Sequence, residues 1–297
     1  MAILISDEIR DALERELKYA ENSVQIISAY CKERTIERLN SLIPEGVSDR
    51  NIMLRFRMDD IVKGVTDIEA ARLCIDEGWN VYFRFDLHAK TYIVDDKRGI
   101  IGSANSTNKG LSFSNASNLE IATLVDMDDL DIQKIGRLYK GAIKVDSSLL
   151  DAMKVELDRA DKTSSGRSLK WSDDIIDKFH PSVNTLFSFE LPDSDSMTGY
   201  IPFLEDDFNG NNEEFKEAFR WSNAYCWLVD DVRQHGGEAY FGELTADLHD
   251  VLVSDPKPYR KDVKKMLANL LSIVEKLNMP ELLIDRPNYS QRVRIVR

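Results

Sequence analysis

One segment of the sequence pairs two residue types that phosphodiester chemistry uses. His88 and Lys90 stand two residues apart in an apolar, strand-like run. Residues two apart in a strand project to the same face, so the spacing predicts an imidazole beside an ammonium group. The ammonium can bind the charge of a phosphate diester, and the imidazole can attack phosphorus or donate a proton.

The residues after this pair could complete a phosphate site. The chain is expected to turn after Asp95 and to return through a second strand to Gly102. A glycine permits close backbone approach, and the side chains of Ser103 and Asn105 add neutral donors for phosphate oxygens. Phosphoryl transfer depends mainly on positioning and charge stabilisation, and this set supplies both.

The elements that must position these residues alternate between strand and helix patterns. Strand patterns cover residues 23–30, 51–57, 79–85, 90–94, 99–101 and 119–125, and helical patterns cover about 33–42, 66–77 and 128–144. Residues 145–170 are typical of a helix that runs into a Ser, Gly and Lys linker at 162–168. Ser6 is a candidate N-cap for a first helix with an acidic first turn. Because several late strands follow one another directly, we expect an α/β layer sandwich with a mixed sheet.

The segment from His88 to Asn105 resembles the HKD signature of the phospholipase D superfamily, HxKxxxxDxxxxxxGSxN, at every fixed position. The resemblance extends over about residues 1–145 and implies a phospholipase D-like α/β/α sandwich. It implies that His88 is the nucleophile and forms a covalent phosphohistidine. Lys90 and Asn105 are then implied to bind the phosphate, with the help of Ser103.

The same resemblance implies roles for two acidic residues. Glu120 would accept a hydrogen bond from the far nitrogen of His88 and so fix the tautomer and orientation of the imidazole. Asp95 would be structural, like Gly102, and would hold the turn between the two strands. No metal and no cofactor is expected, and we found no Asp, Glu and His cluster at ligand spacing in the sequence.

The signature occurs once. His180, His235 and His249 have no lysine two residues on. The family's chemistry uses two histidines, one as nucleophile and one as general acid on the leaving oxygen. We therefore predict a homodimer in which a two-fold axis brings two motifs into one composite active site.

The net charge of −13 is concentrated in one part of the chain. Residues 1–170 carry −4, residues 171–255 carry −15 and residues 256–297 carry +6. The acidic part is typical of a solvated connector. It could also occupy a cationic cleft as an autoinhibitory segment, or hold a protein partner.

The basic C-terminal part could contact nucleic acid. Helical patterns at about 212–234, 243–253 and 259–278 precede a strand, turn and strand, which is the order of a winged-helix unit. The candidate contacts are Arg260, Lys261, Lys264 and Lys265 on one helix face, and Arg292 and Arg294 on the hairpin. An ordinary solvated helix face is the alternative.

These patterns predict three parts: a catalytic domain at 1–145, a helix and linker at 146–170, and a mainly helical C-terminal domain at 171–297. The favoured function is a metal-independent, homodimeric DNA endonuclease, with RNA as another substrate and restriction or phage defence as a setting. The alternatives are a phospholipase D-type lipid phosphodiesterase or phosphatidyltransferase, and a non-catalytic DNA-binding assembly protein. No stretch approaches the roughly 18 apolar residues of a membrane span, and three scattered cysteines fit a reducing cytosol, so we expect a cytoplasmic protein without a membrane partner.

Overall fold

Alternating helix and strand patterns in the first half of the chain form a large mixed sheet in the computed structural model. Its strands are β1 (Ala2–Ile5), β2 (Ser23–Ser28), β3 (Asp49–Arg55), β4 (Asn80–Arg84), β5 (Lys90–Val94), β6 (Arg98–Gly102), β7 (Ile121–Asp126) and β8 (Ile143–Val145). The order in the sheet is β1-β7-β6-β5-β2-β3-β4-β8. The β2–β3 and β3–β4 pairs are parallel and the other pairs are antiparallel, which confirms the mixed sheet.

The structure describes residues 2–114, 116–159, 171–176, 178–179, 181–195, 212–254 and 256–296. The chain divides into a first unit, Met1–Phe179, and a second unit, His180–Arg297. This division differs from the expected boundaries at 145 and 171. Trp171 accounts for the difference, because its indole NH donates to the carbonyl oxygen of Phe56 in the first unit at 3.2 Å. The linker expected at 162–168 lies outside the described residues.

The described part of the first unit has seven helices. They are α1 (Asp7–Lys18), α2 (Glu33–Asn40), α3 (Met58–Val62), α4 (Ile68–Asp76), α5 (Asp129–Gly136), α6 (Ser147–Arg159) and α7 (Asp173–Ile176). α1 buries Ile9, Leu13 and Leu17 on one face, as its periodicity predicts. The N-cap prediction for Ser6 is wrong, because this residue has a φ of 50° and makes no side-chain cap bond.

Two edge strands were absent from the sequence prediction. β1 has only four residues, and they show no alternation of apolar and polar side chains that would indicate a strand. The helix predicted over 128–144 ends at Gly136, and the chain then passes Gly141, which has a φ of 70°, into β8. β8 pairs with β4 and buries Ile143 and Val145, so it extends the sheet where a helix was expected.

The second unit has a helical core with a small sheet. Its elements are α8 (Asn212–Arg220), α9 (Asn223–Gln234), β9 (Glu238–Tyr240), α10 (Phe241–Val251), α11 (Arg260–Leu277), β10 (Leu282–Asp285) and β11 (Arg292–Ile295). The helix predicted over 212–234 is divided in two, because Ser222 caps α9 by accepting a hydrogen bond from the backbone NH of Tyr225.

The small sheet joins the C-terminal hairpin to the middle of the second unit. β11 pairs with both β10 and β9, so the order is β10-β11-β9. Three helices, α9, α10 and α11, and a C-terminal hairpin follow one another in the order that the sequence predicts, and β9 is a strand that the sequence did not predict. Trp227, Leu267 and Val293 lie in the core that these elements share. None of the described helices has the length and apolar character that crossing a membrane requires.

Candidate active site

The predicted site residues meet at one end of the large sheet. β2 and β3 run parallel, and both end there, at Ser28 and Arg55. β5 begins at the same end with Lys90, which pairs with Ser28 across the β2–β5 ladder. β6 ends there at Gly102. The strand order therefore brings residues that are far apart in sequence to the same end of the sheet.

His88 lies just before β5, and its side chain is exposed. The strand predicted over 90–94 is confirmed, and His88 lies just outside it, so strand alternation alone does not place the imidazole beside Lys90. Lys90 folds back instead, because its ammonium donates a hydrogen bond to the carbonyl oxygen of His88 at 2.7 Å. The charge of Lys90, then partial burial and the charge of Arg55, lower the pKa of His88. The lowered pKa favours the neutral imidazole, which is the form that can attack phosphorus.

Asn105 is held by the end of β2. Its amide oxygen accepts a hydrogen bond from the backbone NH of Tyr30 at 3.0 Å. This bond uses the acceptor of the amide and leaves its NH₂ group as the donor that an anion requires. Asn105 thus has the donor chemistry expected of a phosphate-binding residue.

Sequence reasoning missed Arg55 and Tyr30. The guanidinium of Arg55 donates to the Tyr30 hydroxyl at 2.7 Å and lies 4.7 Å from the centre of that ring. Arg55 also forms an ion pair with Asp60 at 2.8 Å, and both side chains are only 12% exposed. The available signal was position, because Tyr30 ends the predicted strand 23–30 and Arg55 lies near the end of the predicted strand 51–57. Carboxyl ends of neighbouring parallel strands commonly carry ligand sites.

Glu120 is buried at the start of β7, where it contacts Ser103 rather than His88. The Ser103 hydroxyl donates to the Glu120 carboxylate, and the side-chain amide of Asn118 donates to the same carboxylate at 3.0 Å. Among the described residues, no hydrogen bond joins Glu120 to His88. A serine–carboxylate pair thus stands where the carboxylate–imidazole pair was expected. Burial and the charge of Arg55 lower the pKa of Lys90, and the charge of Glu120 opposes this effect.

Asp95 fixes the start of β2. Its carboxylate accepts hydrogen bonds from the backbone NH groups of Glu21, Asn22 and Ser23, at distances from 2.6 to 3.1 Å. Burial alone would raise the pKa of Asp95, but these three donors outweigh it and hold the pKa below its ordinary value. These contacts are structural in character and lie at the end of β5 opposite to His88.

Gly102 lets β6 approach β7 closely. A Cβ atom at this position would lie 2.5 Å from the Cα atom of Ala122, which is well inside van der Waals contact. The motif glycine therefore meets the close-approach requirement that the sequence predicts.

A buried polar network anchors the loop that follows β6. The backbone NH of Ser106 donates to the Ser28 hydroxyl at 2.9 Å, and the Ser106 hydroxyl donates to the hydroxyl of Tyr92 at 3.1 Å. Tyr92 in turn donates to the carbonyl oxygen of Ala104 at 2.9 Å. These bonds hold both neighbours of Asn105 and so restrict its position.

The basic residues predicted in the second unit fall into two groups. Four are exposed on the N-terminal half of α11: Arg260, Lys261, Lys264 and Lys265. The opposite side of α11 is buried, as its pattern predicts. On the hairpin, Arg292 and Arg294 both form ion pairs with Asp285, at 2.9 and 2.8 Å. Arg292 and Arg294 are therefore paired with carboxylates of their own sheet, Asp285 and Glu238, whereas no ion pair joins these four α11 residues to a described carboxylate.

Comparison with known proteins identifies one family in the first unit. Residues 13–136 match the family model described as "Cardiolipin synthase, PLD-like domain". No curated protein matches the sequence.

Solved structures with a similar first half include three bacterial proteins. Nuc, a phospholipase D family member from Salmonella typhimurium, aligns at 18% identity over 49% of this chain and 97% of that chain, with a TM-score of 0.41. NucT from Helicobacter pylori aligns at 22% identity over 46% and 91%, with a TM-score of 0.36. A phosphatidylserine synthase from Haemophilus influenzae aligns at 12% identity over 53% and 45%, with a TM-score of 0.40. A fold at this level of similarity does not specify a substrate.

Proposed function

Residues 13–136 form a PLD-like domain of the phospholipase D superfamily of phosphodiesterases, and from this premise we propose that the protein is a homodimeric nuclease that cleaves DNA without a metal. The observation that carries the proposal is His88, an exposed histidine whose pKa is lowered beside Lys90 at the sheet edge that also holds Asn105. A neutral imidazole flanked by cations suits attack on an anionic diester.

The proposed reaction has two displacements at phosphorus. A nitrogen of the His88 imidazole attacks, a P–N bond forms, and the P–O bond to the leaving oxygen breaks while a second histidine donates a proton to that oxygen. Water then attacks the phosphohistidine, the P–N bond breaks, and the second histidine takes up the proton. Lys90 and the amide of Asn105 bind the phosphoryl oxygens as charge develops on them.

The second histidine is proposed to be His88 of another copy of the chain. An apolar patch next to Glu120 supports self-association: Leu119 is 87% exposed, Ile121 is 57% exposed and Ile5 is 48% exposed. Ile5 and Ile121 are register partners in the β1–β7 ladder, so they lie side by side on one face. A copy packed on this patch would bring its motif to the same sheet edge.

The second unit supports nucleic acid as the substrate class. The exposed cations of α11 lie on a helix that precedes a hairpin in winged-helix order, and such a helix can enter the major groove of duplex DNA. The opposite buried face fixes this helix on its own core, so the cations are presented on a rigid element.

The test compares the wild type with His88→Ala, and with His249→Ala as a matched histidine control from the second unit. Each protein is incubated with plasmid DNA in EDTA. We expect wild type and His249→Ala to cleave and His88→Ala to be inactive. Release of headgroup from phospholipid vesicles without cleavage of DNA or RNA would overturn the nuclease assignment in favour of the lipid reaction.

The oligomer is tested in the same preparation by sedimentation. We expect wild type to be a dimer, and Ile121→Glu to be monomeric and inactive, because a charge on the patch opposes its burial. A fully active monomer would exclude the composite site.

A further inference from the structure

Three potential metal ligands meet in the second unit. Asp231 lies in the last turns of α9, His235 is the residue that caps this helix, and Asp247 lies in α10. One ligand atom from each lies within 4.8 Å of the other two. Asp231 and His235 are four residues apart and therefore share a helix face, while Asp247 reaches them from the neighbouring helix.

One buried oxygen of this group lacks a hydrogen-bond donor among the described residues. Asp231 is only 9% exposed, and its Oδ2 atom is buried without a hydrogen bond in the described part of the chain. The same oxygen lies 4.0 Å from Nε2 of His235. A buried carboxylate oxygen normally has a donor or a cation, so this atom indicates a missing ligand.

The surrounding charges favour a cation. No described lysine or arginine forms an ion pair with Asp231 or Asp247, and Glu243 adds a further negative charge near His235. Asp231 places a buried carboxylate beside the carboxylate of Asp247, and a dication would balance the two charges.

We propose that Asp231, His235 and Asp247 bind a divalent transition-metal ion, with Zn²⁺ as the best-matched metal. One imidazole and two carboxylates are donors that Zn²⁺ accepts, whereas Ca²⁺ and Mg²⁺ prefer oxygen alone. Ligand atoms of a tetrahedral zinc site lie about 3.4 Å apart, given bonds of about 2.1 Å. Nε2 of His235 lies 2.8 Å from Oδ2 of Asp247 and 4.0 Å from Oδ2 of Asp231, so the two distances lie on either side of this value. Small side-chain movements would therefore bring the three atoms to the spacing of zinc ligands.

Binding would exchange a proton for the metal. Nε2 of His235 and Oδ2 of Asp247 lie 2.8 Å apart and share a hydrogen bond. Zn²⁺ would take the place of the proton in this bond, both atoms would become ligands, and the released proton would pass to solvent. The ion would then link α9 to α10 across the turn at Gly236 and Gly237, and would stabilise the second unit.

The test uses the full-length protein, stripped with EDTA and exchanged into chelator-free buffer. Zn²⁺ is titrated by calorimetry, and thermal unfolding is followed with and without Zn²⁺. We expect one Zn²⁺ per chain and a rise in Tm. Mg²⁺ or Ca²⁺ binding as tightly as Zn²⁺, or no binding of Zn²⁺ at micromolar concentration, would overturn the proposal.

Two variants locate the ion. His235→Ala and Asp247→Asn should each weaken Zn²⁺ binding by at least about tenfold. Asp247→Asn keeps a hydrogen bond to His235, so it remains a valid test if His235→Ala does not fold. His249→Ala, on the same helix as Asp247, and His88→Ala should bind Zn²⁺ like the wild type. Unchanged affinity in both site variants would place the ion elsewhere. Cleavage in EDTA is a separate measurement, so either proposal can fail alone.

Discussion

The hydroxyl group of Ser103 donates a hydrogen bond to the carboxylate of Glu120. The backbone NH of Ile121 donates to the same hydroxyl oxygen at 3.1 Å, so Ser103 is fixed between β6 and β7. Because Glu120 is buried and acts electrostatically on Lys90, the serine positions a charge at the edge of the site. In this arrangement Ser103 acts through Glu120 more than through direct contact with a phosphate.

Ser103→Ala should therefore lower kcat while KM stays nearly constant. Loss of one hydrogen bond to a charged carboxylate costs about 2 kcal/mol, which corresponds to roughly thirtyfold in rate. Steady-state cleavage of a chromogenic phosphate diester measures both constants, and Ser103→Thr should restore the rate because it keeps the hydroxyl. A raised KM at constant kcat would instead show that Ser103 binds the substrate directly.

The charge of Lys90 controls the protonation of His88. Lys90→Gln removes the largest cause of the lowered pKa, so the pKa of His88 should rise towards its ordinary value. A lowered pKa means that the wild-type imidazole is neutral down to a more acidic pH than a free histidine. The protonated fraction at pH 6 should therefore be larger in the variant.

Titration of the four histidines by NMR checks this, with the His88 signal assigned by its loss in His88→Ala. Lys97→Gln is the matched control, because Lys97 is exposed in the turn after β5, at the opposite end of that strand. Equal His88 titration curves in Lys90→Gln and Lys97→Gln would contradict the electrostatic account.

Much of the first unit could be predicted because its signals are local. Runs of apolar and β-branched residues mark the central strands, and the spacing from Asp95 to Gly102 encodes the β5–β6 hairpin. β1 and β8 could not be predicted because they have only four and three residues, too few to show a strand pattern of their own. Local patterns thus predict the centre of the sheet better than its edges.

The partners of the site residues could not be predicted, because they depend on which strands become neighbours. Arg55 and Tyr30 reach the site only because β3 and β2 end beside the start of β5. The group of Asp231, His235 and Asp247 could not be predicted for the same reason, because Asp247 lies on a different helix from the other two residues. A search along the sequence for clustered ligands therefore misses it.

Asp95 should affect stability rather than chemistry. The Asp95 carboxylate accepts hydrogen bonds from three backbone NH groups at the start of β2. Asp95→Asn removes its charge and should lower the free energy of unfolding by about 1–3 kcal/mol. Because the folded-state pKa is lowered, this stabilisation is present above the unfolded-state value of about 3.9 and is lost as pH falls through the folded-state value.

Urea unfolding at pH 7 and at more acidic pH measures the effect. The difference between wild type and Asp95→Asn should be largest at pH 7 and should narrow on acidification. Asp96→Asn is the neighbouring control, since Asp96 is exposed and its carboxylate accepts from the side chain of Gln25. We expect the control to change stability by less than about 0.5 kcal/mol. Equal losses in the two variants would contradict the assigned role of Asp95.

The exposed cations of α11 should determine the salt dependence of DNA binding. Each lysine that neutralises a phosphate contributes about 0.9 to the slope of log K against log salt concentration. Lys264→Ala should therefore lower the magnitude of this slope by about 1, and the double variant with Lys265→Ala by about 2. Both side chains are exposed on the face opposite the buried one, so the substitutions leave the core intact.

Fluorescence anisotropy with duplex DNA over a range of salt concentrations measures these slopes, using His88→Ala protein so that the DNA is not cleaved. Lys276→Ala is the control on the same helix, because its ammonium already forms an ion pair with Asp195 at 2.6 Å. The control should keep the wild-type slope. An equal loss in Lys264→Ala and Lys276→Ala would show that the net charge of the unit, rather than the exposed face of α11, drives binding.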